Sequence, residues 1–412
     1  MLREAVKKAH PGKKGVILLF AGFESERHVF RQDSSFYYMT GLEEPAVVMA
    51  LDLESQTVLY VPHYSTSRNQ WVSSMIESTG QELAQYGIDE IKKLGHFCKG
   101  YSLAPACVPS EYEYLTNMLE TVVSDGGVIF TIYPQDSFSE ETLVVDRLFL
   151  PKPHLRNALA DISPLVYALR RTKSQAELEI IYSAIECTME AHDAAAGRIE
   201  PGLYEYQIQA AIEFLYKETG ASAAFPSIVG SGKNSTVLHY IKNNSIMNKG
   251  DLVVIDIGAE VDYYCADITR TYPVSGTYSK RQREIYNIVL QTQRYIETVA
   301  KPGYWIRNKD QPEKSLQHLT LAYLKEQGYD KFFNHGVSHF LGLDVHDVGN
   351  YAEPLKEGDV ITIEPGIYLP EENLGVRIED NYWVTAQGVV CMSEELPKDT
   401  YEIEEFMAQE EE

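Results

Sequence analysis

Two stretches decide how this chain reads: "GDLVVIDIG" at 250–258 and "GDVITIEPG" at 358–366. They align without a gap. Each opens on Gly-Asp, runs through an apolar strand to one acid, and reaches glycine two residues later. The acids are Asp256 and Glu364. A histidine precedes each at nearly the same distance, His239 17 residues before Asp256 and His346 18 residues before Glu364. Two ordinary strands could share Gly-Asp and a few valines by chance, but the matching histidine offsets argue for a repeat. Helical segments precede both copies. The pattern predicts a half-domain packed against its copy, with both acids at a shared centre.

Each acid has a downstream partner. A turn centred on Val261–Asp262 would place Asp256 opposite Asp267. A turn centred on Glu371–Glu372 would place Glu364 opposite Glu379. Opposed residues of a hairpin share a face, where like charges repel. Such pairs persist when one acid stays protonated or a cation lies between them, and two pairs on related strands favour the cation. Two divalent ions would balance four carboxylates.

Between the copies, "HGVSHFLGLDVHD" (335–347) crowds three histidines and two aspartates into a chain with only 11 histidines. His339 or a neighbour would complete a dinuclear site, leaving the other histidines as proton donors. Carboxylates with one imidazole suit Mn²⁺, Zn²⁺, Co²⁺ or Fe²⁺. A two-metal site activates water and polarises a carbonyl or phosphoryl oxygen, so hydrolysis is the natural reaction.

The rest of the chain sets bounds. Its 412 residues suggest two domains. A formal net charge of −24 argues against nucleic acid, which needs clustered Lys and Arg. Part of that charge lies in "EIEEFMAQEEE" (402–412), expected to be a solvated, partly frayed end. The five scattered cysteines lack any CxxC, which points to a reduced, cytoplasmic chain. No apolar run reaches the ~20 residues of a membrane span. Residues 1–170 mix strands ("GVILLF", "AVVMALDL", "TVLYVP") with helices (65–76 and 109–123), an α/β domain without a phosphate loop. "PKPHLRNALADISP" (151–164) reads as a connection. Residues 171–412 open on a long helix, with Ser174 and Glu177 at capping-box spacing. A second helix is predicted from about Tyr204 to Thr219.

These motifs resemble the pita-bread metallopeptidases, and within them the Xaa-Pro aminopeptidase and prolidase branch. The resemblance rests on "LHY" (238–240), "VVIDIGAEVDYYCADITRTYPV" (253–274), "HGVSHFLGLDVHD", "TIEPGIY" (362–368) and "GVRIED" (375–380). It extends to "FRQDSSFYYMTGLEEP" (30–45), which looks like the aminopeptidase P N-terminal domain. It implies an α+β chain: a pita-bread domain with a pseudo-twofold repeat, behind a smaller N-terminal α/β domain. It implies two divalent ions, manganese foremost, held by Asp256, Asp267, His339, Glu364 and Glu379. Glu364 matches the residue that takes the proton from water. His239 and His346 match histidines that contact substrate and stabilise the tetrahedral intermediate. His335 matches a pocket histidine. Tyr368 and Arg377 match supporting and substrate-side positions. Arg377, two residues from Glu379 on one strand, would orient that acid. The implied substrate is a peptide with proline second, and homo-dimers or tetramers are the implied assemblies. A prolidase restricted to dipeptides is the near alternative. A non-catalytic binding protein of this fold is the distant one, and it would lack ligands that are all present here.

Overall fold

In a computed structural model, residues 1–25, 28–74, 86–103, 108–134 and 140–409 are described. The chain divides into two units, Met1–Arg170 and Arg171–Glu412. Among the described residues no helix is long and apolar enough to cross a membrane.

The first unit is built on a mixed six-stranded sheet in the order Glu90–Phe97, Thr57–His63, Val48–Asp52, Gly15–Phe20, Val128–Thr131, Leu159–Asp161. "GVILLF" is its central strand, paired antiparallel to Val48–Asp52 and parallel to Val128–Thr131, with Ile17 and Leu18 fully buried. Continuous apolar character is what a strand covered on both faces requires. Stretch 151–164 is more than a connection. It holds the helix Pro153–Asn157 and the edge strand Leu159–Asp161. Proline at the first helical position needs no N–H partner, so it starts that helix rather than breaking it. Of the helix expected over 65–76, the described part forms a 3-10 turn, Arg68–Gln70; residues 75 and 76 lie outside the described residues.

The second unit opens on the helix Gln175–Ala196, capped as its sequence predicts: the Ser174 side chain accepts from the Glu177 N–H and the Glu177 carboxylate accepts from the Ser174 N–H. The helix Glu205–Glu218 follows, and Gly220 at φ +81 turns the chain away. Then comes the first hairpin, strands Leu252–Ile257 and Ile268–Pro273. Helices Lys280–Val299 and Leu316–Glu326 lead to the second hairpin, Val360–Ile363 against Asp380–Val384, continued by Gly366–Leu369 against Leu374–Arg377. Val253, Ile255, Ile257, Ile361 and Ile363 face one apolar core with the helices. The tail departs from expectation. It forms the helix Thr400–Gln409, and Ile403 and Met407, four residues apart, bury one stripe of it; residues 410–412 lie outside the described residues.

The two hairpins differ in register. In the second, Ile363 faces Asp380 and Gly366 faces Arg377, so Glu364 and Glu379 stand opposite each other, as expected. In the first, Asp256 faces Thr269, not Asp267. The turn lies one residue later than expected, at Asp262–Tyr263, where both residues adopt positive φ (45 and 71) between the paired Val261 and Tyr264. Two left-handed residues make the two-residue turn that matches strand twist. Asp267 is therefore diagonal to Asp256 but still on its face. The repeat's glycine is required by backbone in the first copy, and in the second a side chain there would displace the Tyr368 ring. A Cβ on Gly258 would lie 1.9 Å from the Ala266 carbonyl oxygen, and one on Gly366 would lie 2.5 Å from the Tyr368 hydroxyl.

Candidate metal centre

The hairpins meet edge to edge. Thr269 N–H donates to the Glu379 carbonyl (3.3 Å) and Glu379 N–H to the Thr269 carbonyl (3.0 Å). This junction brings four acids to one place. Beneath it, on the opposite face, buried Arg270 and Asp380 pair at 2.7 Å, and Arg270 also donates to the Glu379 carbonyl at 2.8 Å. Ser393, Lys398 and Gln293 satisfy the remaining Asp380 lone pairs. A buried ion pair is tolerable when its partners are complete, as here.

The histidine-rich stretch forms no regular strand of its own but runs along the second hairpin. Glu364 N–H donates to the Val337 carbonyl at 2.9 Å, Thr362 N–H to that of His339 at 3.0 Å, and Leu341 N–H to that of Val360 at 3.0 Å. Asp347 N–H then reaches back to the Phe340 carbonyl (2.9 Å), and Lys173 pairs with the Asp347 carboxylate at 2.9 Å. The chain thus folds on itself, and the His346 ring meets the His339 ring edge-on at 4.4 Å.

His339 is the hub. Its Nδ1 lies 3.0 Å from the Phe340 carbonyl, which fixes Nδ1 as the donor and turns Nε2 toward the acids. Nε2 is 3.3 Å from Asp267, 3.6 Å from Glu364 and 3.9 Å from Glu379. Donor atoms of Asp267, His339 and Glu379 all lie within 4.8 Å of one another. All five residues line one cavity of about 700 Å³, which His239, His335, His346 and Arg377 also line. Tyr368 does not line it. That residue is buried, with its hydroxyl against His335 and Arg377.

The charges are out of balance without cations. Burial, then the neighbouring Asp256 and Glu364 carboxylates, push Asp267 well above the ordinary carboxylate range. Burial, then Asp267 and Glu364, do the same to Glu379. Burial opposes ionisation of Glu364 as well, but a hydrogen bond from His335 and the nearby His339 and Arg377 outweigh it and hold that carboxyl low. Desolvation and then His339 lower His346, which favours its neutral ring. Asp256 Oδ1 and Asp267 Oδ1 are buried with no hydrogen-bond partner. Orphaned acceptors of this kind, in a nest of oxygens with one imidazole, fit hard or borderline divalent cations.

A hydrogen-bonded chain links the two repeats. Arg377 Nη2 donates to Asp256 Oδ2 at 2.6 Å and Nη1 to the Tyr368 hydroxyl at 3.0 Å. That hydroxyl donates to His335 Nε2 at 2.9 Å, and His335 Nδ1 stands 3.3 Å from Glu364 Oε2. The Tyr368 phenol, pushed up to about 12 by burial, keeps its proton for this role. Arg377 therefore bonds Asp256 of the other hairpin directly, and reaches its own neighbour Glu379 only through the Thr269 hydroxyl, which accepts from Arg377 Nε at 3.3 Å. The Glu379 carboxylate accepts instead from the Thr269 hydroxyl, at 2.8 Å. Sequence reasoning missed Thr269, and also buried Asn381, which accepts the Asp267 N–H at 3.1 Å. The signal for Thr269 was the register itself, which sets it where the second repeat has Glu379.

Residues 179–386 match metallopeptidase family M24, and residues 3–102 match the aminopeptidase P N-terminal domain. The chain is 32% identical to the Xaa-Pro aminopeptidases of Haemophilus influenzae, over 95% of this chain and 93% of that one, and of Escherichia coli, over 98% and 95%. It is 37% identical to the Xaa-Pro dipeptidase of Pyrococcus furiosus, over 67% and 74%. Among solved structures, an Escherichia coli aminopeptidase P variant in complex with substrate superposes with a TM-score of 0.81 at 28% identity, over 100% of this chain and 97% of that one. This chain belongs to metallopeptidase family M24, with an aminopeptidase P N-terminal domain ahead of the metallopeptidase unit.

Proposed function

We propose that this chain is an Xaa-Pro aminopeptidase: it hydrolyses the bond between a peptide's N-terminal residue and a following proline. The observation that carries the reading is coverage. Similarity to Xaa-Pro aminopeptidases spans both units and 93–95% of those proteins' length, whereas the Pyrococcus furiosus dipeptidase matches over 67% of this chain. The converging acids support it chemically.

As an M24 metallopeptidase the chain uses divalent metal. We assign Asp256, Asp267, His339, Glu364 and Glu379 as the residues that hold two ions, manganese foremost because oxygen donors dominate. Bound there, divalent cations lower the pKa of water toward neutrality and stabilise charge on a carbonyl oxygen. The remaining work falls to side chains. Glu364, partly open to the cavity and 3.3 Å from His335 Nδ1, takes the proton of the attacking water and delivers it to the departing proline nitrogen. His239 and His346 donate to the oxygen that gains charge. Arg377, fixed by Asp256 and Tyr368, holds the first hairpin's acid in place. Proline offers no N–H at the scissile bond, so recognition rests on its ring and on the neighbouring carbonyls.

The test is a Mn²⁺-supplemented assay of a Xaa-Pro dipeptide beside a Xaa-Pro-Yaa tripeptide. The aminopeptidase releases Xaa from the tripeptide. A tripeptide left intact while the dipeptide is cut would make the protein a prolidase. Failure to cut either, in protein that retains no metal, would favour the non-catalytic binding role.

A further inference from the structure

One buried acid has no part in the chemistry above. Glu205 opens the helix Glu205–Glu218 and is 0% exposed, and among the described residues no cation pairs with it. Its Oε1 accepts from the Ser231 N–H (2.8 Å), the Ser231 hydroxyl (2.8 Å) and the Asn234 amide (3.0 Å). Its Oε2 accepts from the Tyr240 hydroxyl (2.8 Å) and the Ser245 N–H (2.9 Å). These five donors and the positive end of the helix stand in for a counter-ion. A carboxylate is unfavourable to bury unless it is met this fully. All five donors belong to one segment, residues 231–245, and that segment carries His239.

The segment's ends have other anchors. The Ser235 hydroxyl accepts from the Gly375 N–H at 2.8 Å. Asn243 is buried at φ +46, and its amide accepts from the Val229 N–H and donates to Gln209 and Ser227. Between them the tip has little holding it. Val237 is 51% exposed and Ile241 55% exposed, and among the described residues no hydrogen bond reaches the His239 ring. Tyr240, the next residue, ties the tip to the body of the unit. Its hydroxyl has one proton and two acceptors, the Glu205 carboxylate and Asn244 Oδ1 at 3.1 Å. The carboxylate is the stronger acceptor, and the Asn244 N–H donates back to the hydroxyl at 3.3 Å. The orientation is thereby set in one sense.

We infer that Glu205, through Tyr240, is the positioning group for His239, fixing where that imidazole stands over the cavity. This rests on the reading above that His239 acts on substrate. A misplacement of an ångström at such a group costs up to ~100-fold in rate.

A double-mutant cycle tests it, using Tyr240→Phe, His239→Ala and the pair in the full-length, Mn²⁺-loaded protein. Tyr240→Phe removes one hydroxyl from a partly exposed ring and keeps the fold. With His239 present it should lower kcat about tenfold, and in the His239→Ala background less than about twofold. The thermal midpoint should fall by the same small amount in both. Glu205→Gln, which turns an N–H toward the Ser245 donor, should follow the same pattern. Equal losses of kcat in both backgrounds, or no loss at all, would overturn the inference while leaving His239 a catalytic residue. A His239→Ala protein with undiminished kcat would remove His239's role, and this inference with it.

Discussion

The two hairpins share a frame and differ in what fills it. Asp256 and Glu364 occupy the same place in their strands. Opposite Asp256 stands Thr269, and opposite Glu364 stands Glu379. Two residues away on the returning strands, the first hairpin has Asp267 and the second has Arg377. The backbone repeat is thus not a chemical repeat. Each hairpin lends support to the acid of the other: Arg377 holds Asp256, and Thr269 holds Glu379. The proposed metal centre is a property of the junction, and neither half contains all of its five residues.

The largest losses are expected when one acid is taken from either half. Asp267→Asn and Glu379→Gln should each lower kcat/KM by at least ~1,000-fold if the two ions are held as proposed, since such a site would lose both its clamp and its activated water. Steady-state kinetics with metal analysis checks this. Similar losses from both halves are expected, and an active variant of either would show that its half is dispensable.

The cross-supports come next. Arg377→Met should cost up to ~100-fold in metal affinity or activity, because it frees Asp256 and leaves Tyr368 without its guanidinium donor. Thr269→Val keeps the shape and removes the hydrogen bond to Glu379 and the longer one from Arg377 Nε, for a loss of about tenfold at the lower end of the same range. Manganese titrations of the two variants rank them, and the reverse order would mean that the supports are not reciprocal.

The smallest effect sharpens the contrast through pH. Under the first hairpin, fully buried His192 donates from Nε2 to the Ile268 carbonyl at 3.1 Å and accepts at Nδ1 from Tyr272 at 3.2 Å. Burial, then Arg270, lower its pKa from 6.5 to about 3. The folded protein therefore holds the ring neutral, while the unfolded chain takes up a proton below about 6.5. This contribution to stability is complete above that pH and is lost as pH falls toward about 3. A His192→Gln variant should show a shallower decline of thermal midpoint between pH 6.5 and 4.5. An unchanged slope would mean that the ring is not the titrating group.

In the second hairpin the turn supposed at Glu371–Glu372 is the one that forms, so the opposition of Glu364 and Glu379 that odd separation permitted is kept. The first hairpin slipped because Asp262 and Tyr263 adopt left-handed conformations without glycine to announce them. The junction was beyond reach. Which strand edges meet depends on packing across more than a hundred residues, so Arg377's choice of Asp256 over Glu379 has no local signature. Glu205 was hidden for a related reason, because an acid at the first turn of a helix is ordinary, and only its five donors mark it out.

The most direct test is an anomalous difference map of manganese-loaded crystals. Two peaks per chain are expected, both within coordination distance of donors from Asp256, Asp267, His339, Glu364 and Glu379, drawn from both hairpins. A map with manganese held by one hairpin alone, or with none among these five side chains in an active preparation, would contradict it.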